Sequence, residues 1–122
     1  MKKEASFQRQ FNHWLKNVYR KTAVFELKQC EISLPFSAVV EHQRQALLNT
    51  RHSTLVYKIP DVGFQNPYDI VCLTEIPSYV VIKFKAGVCI IPIDTFLLAE
   101  SRSKRKSITY SEAQKLSTIS FD

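Results

Sequence analysis

The sequence predicts an α/β domain in which a mixed sheet carries one or two packed helices, and three observations lead there. An amphipathic stripe opens the chain, about four β-rich runs fill its middle, and a second helical stretch separates the first β-rich run from the others. The order is α, β, α, then about four strands, then short helices.

Composition sets the scale. A chain of 122 residues, 45% hydrophobic and 23% charged, has enough apolar surface for one core and too little charge excess for a disordered polymer. Seventeen Lys and Arg against eleven Asp and Glu leave a net charge of +6. That balance suits a polyanionic partner and equally suits a merely soluble basic surface. Cys30, Cys72 and Cys89 are odd in number and form no C-x-x-C pair, which argues against a zinc knuckle or a disulfide scaffold; they read as reduced and largely buried. The first residues, "MKKEASFQRQF", lack an apolar signal core, and no run approaches bilayer length, so a cytoplasmic chain with no membrane partner is expected. With only two glycines, a glycine-rich phosphate loop is excluded.

Each element has its own signal. Phe7, Phe11, Trp14 and Val18 recur at i, i+4, i+7 and i+11, one stripe of a helix facing a core. Arg9, His13, Lys16 and Arg20 repeat that spacing two positions later, about 200° around the helix, so the opposite face is basic and is either solvated or a phosphate contact. Residues 23–29, "AVFELKQ", alternate as a strand, with Phe25 and Leu27 on one face and Val24, Glu26 and Lys28 on the other. "SLPFSAVVEHQRQALLNTRHS" supplies turn residues Ser33 and Pro35, an N-cap at Ser37, and a helical stripe of Val40 and Leu47 on which Gln43 also lies. "STLVYKIP" reads as a strand, "DVGFQNP" as a loop, "YDIVCL" as a strand, "TEIP" as a turn, and "SYVVIKF" and "GVCIIPI" as two further strands. Asp94 caps a short helix through Phe96, Leu97 and Leu98. Residues 1–100 thus form the main domain, and 101–122 hold the solvated basic segment "SRSKRKS" and a short helix opened by the capping-box pattern "TYSE".

The pair Glu26 and Lys28 poses the functional question. Two charges on one face of a strand cost desolvation energy unless they pair, bind something, or lie on a wet edge. Three features bear on it. "EHQ", residues 41–43, stands on the following helix with Gln43 in a core-facing position, which implies a polar partner. "NPYDIVCL" sets Asp69 at the head of an apolar strand. The acids sit in a basic chain, the combination expected when carboxylates hold a divalent metal against a phosphodiester.

E-L-K in a strand, a helix bearing H-Q, and P-Y-D heading a strand, following "FQRQFNHWLK", together resemble the PD-(D/E)XK nuclease superfamily. Within it the chain looks most like the small phage and bacterial Holliday junction resolvases of the RecU-like type, over roughly residues 7–98. The resemblance implies a restriction-endonuclease-like mixed β-sheet flanked by helices. It also implies a Mg²⁺-dependent (or Mn²⁺-dependent) endodeoxyribonuclease of DNA recombination and repair, acting as a homodimer on branched or duplex DNA. On this footing Glu26 and Asp69 are metal ligands beside the Leu27 carbonyl, Lys28 serves the attacking water and the transition-state charge, and Gln43 supports the site.

The family's aspartate normally precedes the E-x-K strand by one hairpin; here it follows, so the active-site strands are in a rearranged order. Asp61 of Pro60-Asp61 and Asp69 are the two candidates, and Asp69 is preferred because it heads a β-rich run leading into the hairpin "YDIVCLTEIPSYVVIKF". The first helix offers only Glu4 as an acid. Arg9, Lys16, Arg20, Arg102, Lys104, Arg105 and Lys106 are the candidate DNA contacts. The alternatives are a non-catalytic basic nucleic-acid-binding module, with Glu26–Lys28 a structural ion pair, and a protein-interaction domain. His42 and His52 read as solvated or hydrogen-bonded rather than as metal ligands, and Trp14 as core.

Overall fold

The run "YVVI" has no polar face to give to water, so its strand must be covered on both sides. In the computed structural model, which describes residues 2–58 and 70–121, Val80, Val81 and Ile82 are all 0% exposed. They belong to β5 (Ser78–Lys83), the middle strand of a three-stranded mixed sheet. β1 (Val24–Gln29) runs parallel to it on one side and β6 (Val88–Pro92) antiparallel on the other. The chain is therefore mixed α/β, a small mixed sheet flanked by helices. Asp61, the loop "DVGFQNP" and Asp69 lie outside the described residues.

On one face lies α1 (Lys2–Trp14). Its Phe7, Phe11 and Trp14 pack on Val81 and Ile90, with Phe25, Leu27 and, from the C-terminal segment, Phe121 against them. Val18 departs from the expected stripe and is 58% exposed. The cause is a π-helical turn, Leu15–Tyr19, closed by the Arg20 N–H on the Leu15 carbonyl at 2.9 Å. Its wider turn rotates Val18 outward and brings Leu15 and Tyr19 onto the core.

The other face carries α2 (Glu41–His52) and α3 (Ile93–Arg102), with Val80, Ile82, Ile91, Leu47, Ile93 and Phe96 in one core. Ser37 is not the cap of α2: it sits in a 3₁₀ turn, Phe36–Ala38, and Val40 takes the N-cap position. Val40 is 42% exposed, and Val39 is the residue that enters the core. Asp94 likewise lies in the first turn of α3 rather than at its cap, Pro92.

β3 (Thr54–Lys58) pairs antiparallel with β4 (Ile70–Thr74) as a separate hairpin on α2. The expected hairpin between the "YDIVCL" and "SYVVIKF" strands does not form. After β4, Glu75 takes a φ of 52° and the Ile76 N–H bonds the Thr50 carbonyl at 3.1 Å, which turns the chain along the end of α2 before β5 begins. The hairpin's outer face exposes Val56, Ile70 and Cys72, so Cys72 is not buried as expected; Cys89 is. The basic segment is packed at its far end: β2 (Ser33–Pro35) pairs with β7 (Ser107–Thr109), and Ile108 and, from α4 (Tyr110–Leu116), Ala113 join the α2–α3 core. No helix among the described residues is long and apolar enough to cross a membrane.

Candidate active site on the outer strand

Glu26 and Lys28 stand beside Val80 and Ile82 in register, so both point to the α2 face of the sheet, as their alternation with Phe25 and Leu27 requires. β1 is not a central strand: among the described residues nothing pairs with its outer side. The two side chains are partly buried, at 29% exposure for Glu26 and 21% for Lys28. The Lys28 Nζ is 3.7 Å from the Glu26 Oε2.

Gln43 reaches the same oxygen from α2, its Nε2 donating to Glu26 Oε2 at 3.2 Å. The orientation of that amide is set locally, because its Oε1 accepts the Val40 backbone N–H at 3.1 Å. Valine has no side-chain acceptor, so only half of a capping box exists here, the half in which the third helical residue reaches back. With its oxygen held by a backbone donor, Gln43 can present only its NH₂ to Glu26.

The helix itself is anchored next door. The Arg44 guanidinium pairs with both carboxylate oxygens of Glu100 on α3. Its Nε also donates to the Val39 carbonyl at 2.6 Å, and its Nη2 to the Phe36 carbonyl at 2.7 Å. Hydrogen bonding to Glu100 holds this guanidinium above its ordinary pKa, against the opposing effect of burial. Nothing in the sequence pattern flagged Arg44.

Backbone direction adds a fourth oxygen. The Val24 N–H donates to the Pro77 carbonyl at 2.9 Å and the Cys30 N–H to the Lys83 carbonyl at 3.0 Å. Peptide groups alternate along a strand, so the backbone of Glu26 and Lys28 faces β5, and the N–H and C=O of Phe25, Leu27 and Gln29 face outward. The Leu27 carbonyl is thus on the open edge between the two charged side chains. One carboxylate and an outward carbonyl are hard oxygen donors, a set that fits Mg²⁺, which takes one or two carboxylates and keeps several waters. Among the described residues no three His, Cys, Asp or Glu side chains gather as a metal cluster.

The other candidates are elsewhere. Arg9 and His13 are exposed on α1, Lys16 on the π turn and Arg20 at its left-handed end (φ 52°), so the expected basic stripe does not continue as one helical face; all four lie across the sheet from Glu26 and Lys28. Arg102 is exposed in the last turn of α3 and Lys104, Arg105 and Lys106 are exposed beyond it, with Arg105 3.5 Å from Glu112 and the Lys106 carbonyl holding the Phe36 N–H. His42 is exposed, and His52 pairs with Asp94 at 2.9 Å, both about half exposed. Lys83 and Lys85, which the sequence reading did not single out, line a cleft at the end of β1. The signal was available in Lys83, a cation inside an apolar strand, as Lys28 is.

Comparison of the chain with protein-family models, curated proteins and solved structures finds no significant match.

Proposed function

We propose that the chain is a metal-dependent DNA endonuclease, a Holliday junction resolvase-like nuclease of recombination or repair. The observation that carries this reading is the convergence of Glu26, Lys28 and Gln43, from a strand and the helix that follows it, at an open sheet edge. In this reading Glu26 and the Leu27 carbonyl hold the cation, with Asp69 as the second carboxylate. When bound, Mg²⁺ or Mn²⁺ supplies Lewis-acid polarisation of the phosphodiester and lowers the pKa of water. Gln43 fixes the Glu26 carboxylate in one orientation. The Lys28 ammonium would serve the attacking water and the phosphoryl oxygens as their charge grows. The net charge of +6 favours DNA as the polyanion.

The deciding experiment is cleavage of four-way-junction and duplex DNA with Mg²⁺. Glu26→Gln and Lys28→Ala should each lose about 10²-fold or more in rate while folding and DNA binding persist. Asp69→Asn should abolish cleavage and Asp61→Asn should do less. Paired incision of a junction also needs a two-fold dimer, for which the exposed hairpin face of Val56 and Ile70 is the candidate contact. A chain that sediments as a monomer with and without DNA would leave a nicking nuclease instead.

One observation favours a second reading. Gln43 caps α2 while bonding Glu26, so the trio is satisfied without any ligand, as a non-catalytic nucleic-acid-binding module would have it. Mn²⁺ titration separates the two: binding that Glu26→Gln removes supports the nuclease.

A further inference from the structure

Two clefts meet at Gln29. One, of about 260 Å³, lies between Phe7 and Gln8 of α1 and residues 25–29 of β1. The other, of about 460 Å³, continues past the strand and is lined by Ser6, Cys30, Glu31, Lys83 and Lys85. Both are lined by Gln29: the first runs along β1 on the α1 side of its outer edge, and the second lies over the ends of β1 and β5. We infer that the two clefts are the path of one DNA strand along the edge of β1, with Lys83 and Lys85 gripping phosphates from the α1 side while Glu26 and Lys28 meet the strand from the α2 side. The inference rests on the nuclease reading and adds to it the track of the substrate.

Charge and spacing support it. The Lys83 Nζ is 5.5 Å from the centre of the Phe7 ring, a cation–π contact that holds its head at the cleft wall. Among the described residues no carboxylate pairs with the Lys83 or Lys85 ammonium, and Glu31 is the one acid on that stretch. The Lys85 N–H bonds the Glu31 carbonyl at 3.1 Å, which fixes the turn beside residue 31. From Glu26 to Gln29, where the two clefts meet, β1 runs about 10 Å. That is roughly the axial length of three nucleotides of one DNA strand. The exposed basic residues of α1 cannot share this path, because they face away from the sheet.

Lysines beside an open edge have another common use, which is to keep that edge from pairing with a second molecule. The double variant Lys83→Gln/Lys85→Gln separates the two roles. Binding of labelled single-stranded and duplex DNA to the full chain is followed by fluorescence anisotropy in EDTA over a range of salt, so no cleavage intervenes. Two lost phosphate contacts should lower the slope of log K against log salt by about 1.4 for a single strand and about 1.8 for duplex. They should also weaken binding by roughly 15- to 30-fold near physiological salt. Lys83→Arg/Lys85→Arg should restore both.

Unchanged affinity and slope, with or without new self-association, overturns this path; if Glu26→Gln still abolishes cleavage in the same preparation, the nuclease reading survives. A parent chain that binds no DNA overturns both, as does one in which these lysines capture an acidic peptide but not DNA.

Discussion

Replacing Gln43 by glutamate should convert its bond to Glu26 into a repulsion while leaving the helix cap in place. A carboxylate at the third helical position still accepts the Val40 N–H. It then faces Glu26 across the same 3.2 Å. Two unit charges at that separation repel by about 1–5 kcal/mol for an effective dielectric of 80 down to 20. Glu26 is 29% exposed, so the lower end applies, about 1–2 kcal/mol. Loss of the charge-assisted hydrogen bond adds about 1 kcal/mol after the same discount. With unfolding entropy near 2.1 cal/mol/K per residue, a total of about 2–3 kcal/mol lowers Tm by about 8–12 °C at neutral pH.

The sign with pH follows from linkage. The repulsion in the variant exists only while both carboxylates are ionised, so the penalty should be full at neutral pH and fade in acid as one of them takes up a proton. Gln43→Leu loses both bonds, should cost about 1–2 kcal/mol, and should show no such recovery in acid. Thermal melts by circular dichroism at neutral and acid pH, on both variants and the parent, make the comparison. If Gln43→Glu matches the parent at every pH, or loses the same amount at every pH, the amide does not face Glu26 and the site's geometry is wrong.

Arg44→Met should destabilise by about 3 kcal/mol in urea, since it strands Glu100 and two carbonyls; adding Glu100→Leu should recover part of that. In Gly87→Ala the new Cβ meets the Tyr110 hydroxyl at 2.8 Å and two of its ring carbons at 3.2 and 3.3 Å, so it should cost about 1 kcal/mol, and Tyr110→Phe should relieve part of that, as read by Tm. Hydrogen bonds from the Thr109 backbone and side chain hold the Glu112 carboxyl below its usual range, with Arg105 a lesser cause. Its stabilising effect is therefore present above the unfolded pKa and lost as pH falls through the folded one, so the stability gap between parent and Glu112→Gln should close in acid. Replacing Arg102, Lys104, Arg105 and Lys106 by glutamine should reduce the salt slope of duplex binding by up to about 3.6 if all four touch phosphate, and by about 2.7 if Arg105 stays with Glu112; an unchanged slope removes this segment from the DNA.

Where one element decides a residue's environment, the sequence was informative. The alternation of "VFELK" set Phe25 and Leu27 against α1 and Glu26 and Lys28 toward α2, and the spacing of Phe7, Phe11 and Trp14 set them in the core. Gln43, polar at a core-facing position, did have a polar partner. The readings that failed depended on more than one element. Val18 turned outward because a π turn changed the helix phase, and Ser37 lost the cap because Gln43 reached back to Val40. β4 took β3 rather than β5, and the chain between β4 and β5 runs past the end of α2, where the Ile76 N–H bonds the Thr50 carbonyl. That β1 is an outer strand is a property of the sheet, which no single stretch encodes.

That outer position also determines how the charges at Glu26 and Lys28 are to be understood. As an ion pair at 3.7 Å, partly exposed, they contribute about 0.2–1 kcal/mol. The Gln43 cap adds a similar amount. Neither contribution requires β1 to show an unpaired edge, and an unpaired edge is a hazard that proteins ordinarily cover or blunt. Here it lies open among the described residues, with a carboxylate and an ammonium on either side of an outward carbonyl and further lysines along the clefts. On the structural reading those charges blunt the edge against a second molecule; on the proposed nuclease reading a phosphodiester strand lying there would use the carbonyl, the carboxylate and the cations together, so Mn²⁺ binding that Glu26→Gln removes is the result that separates the two.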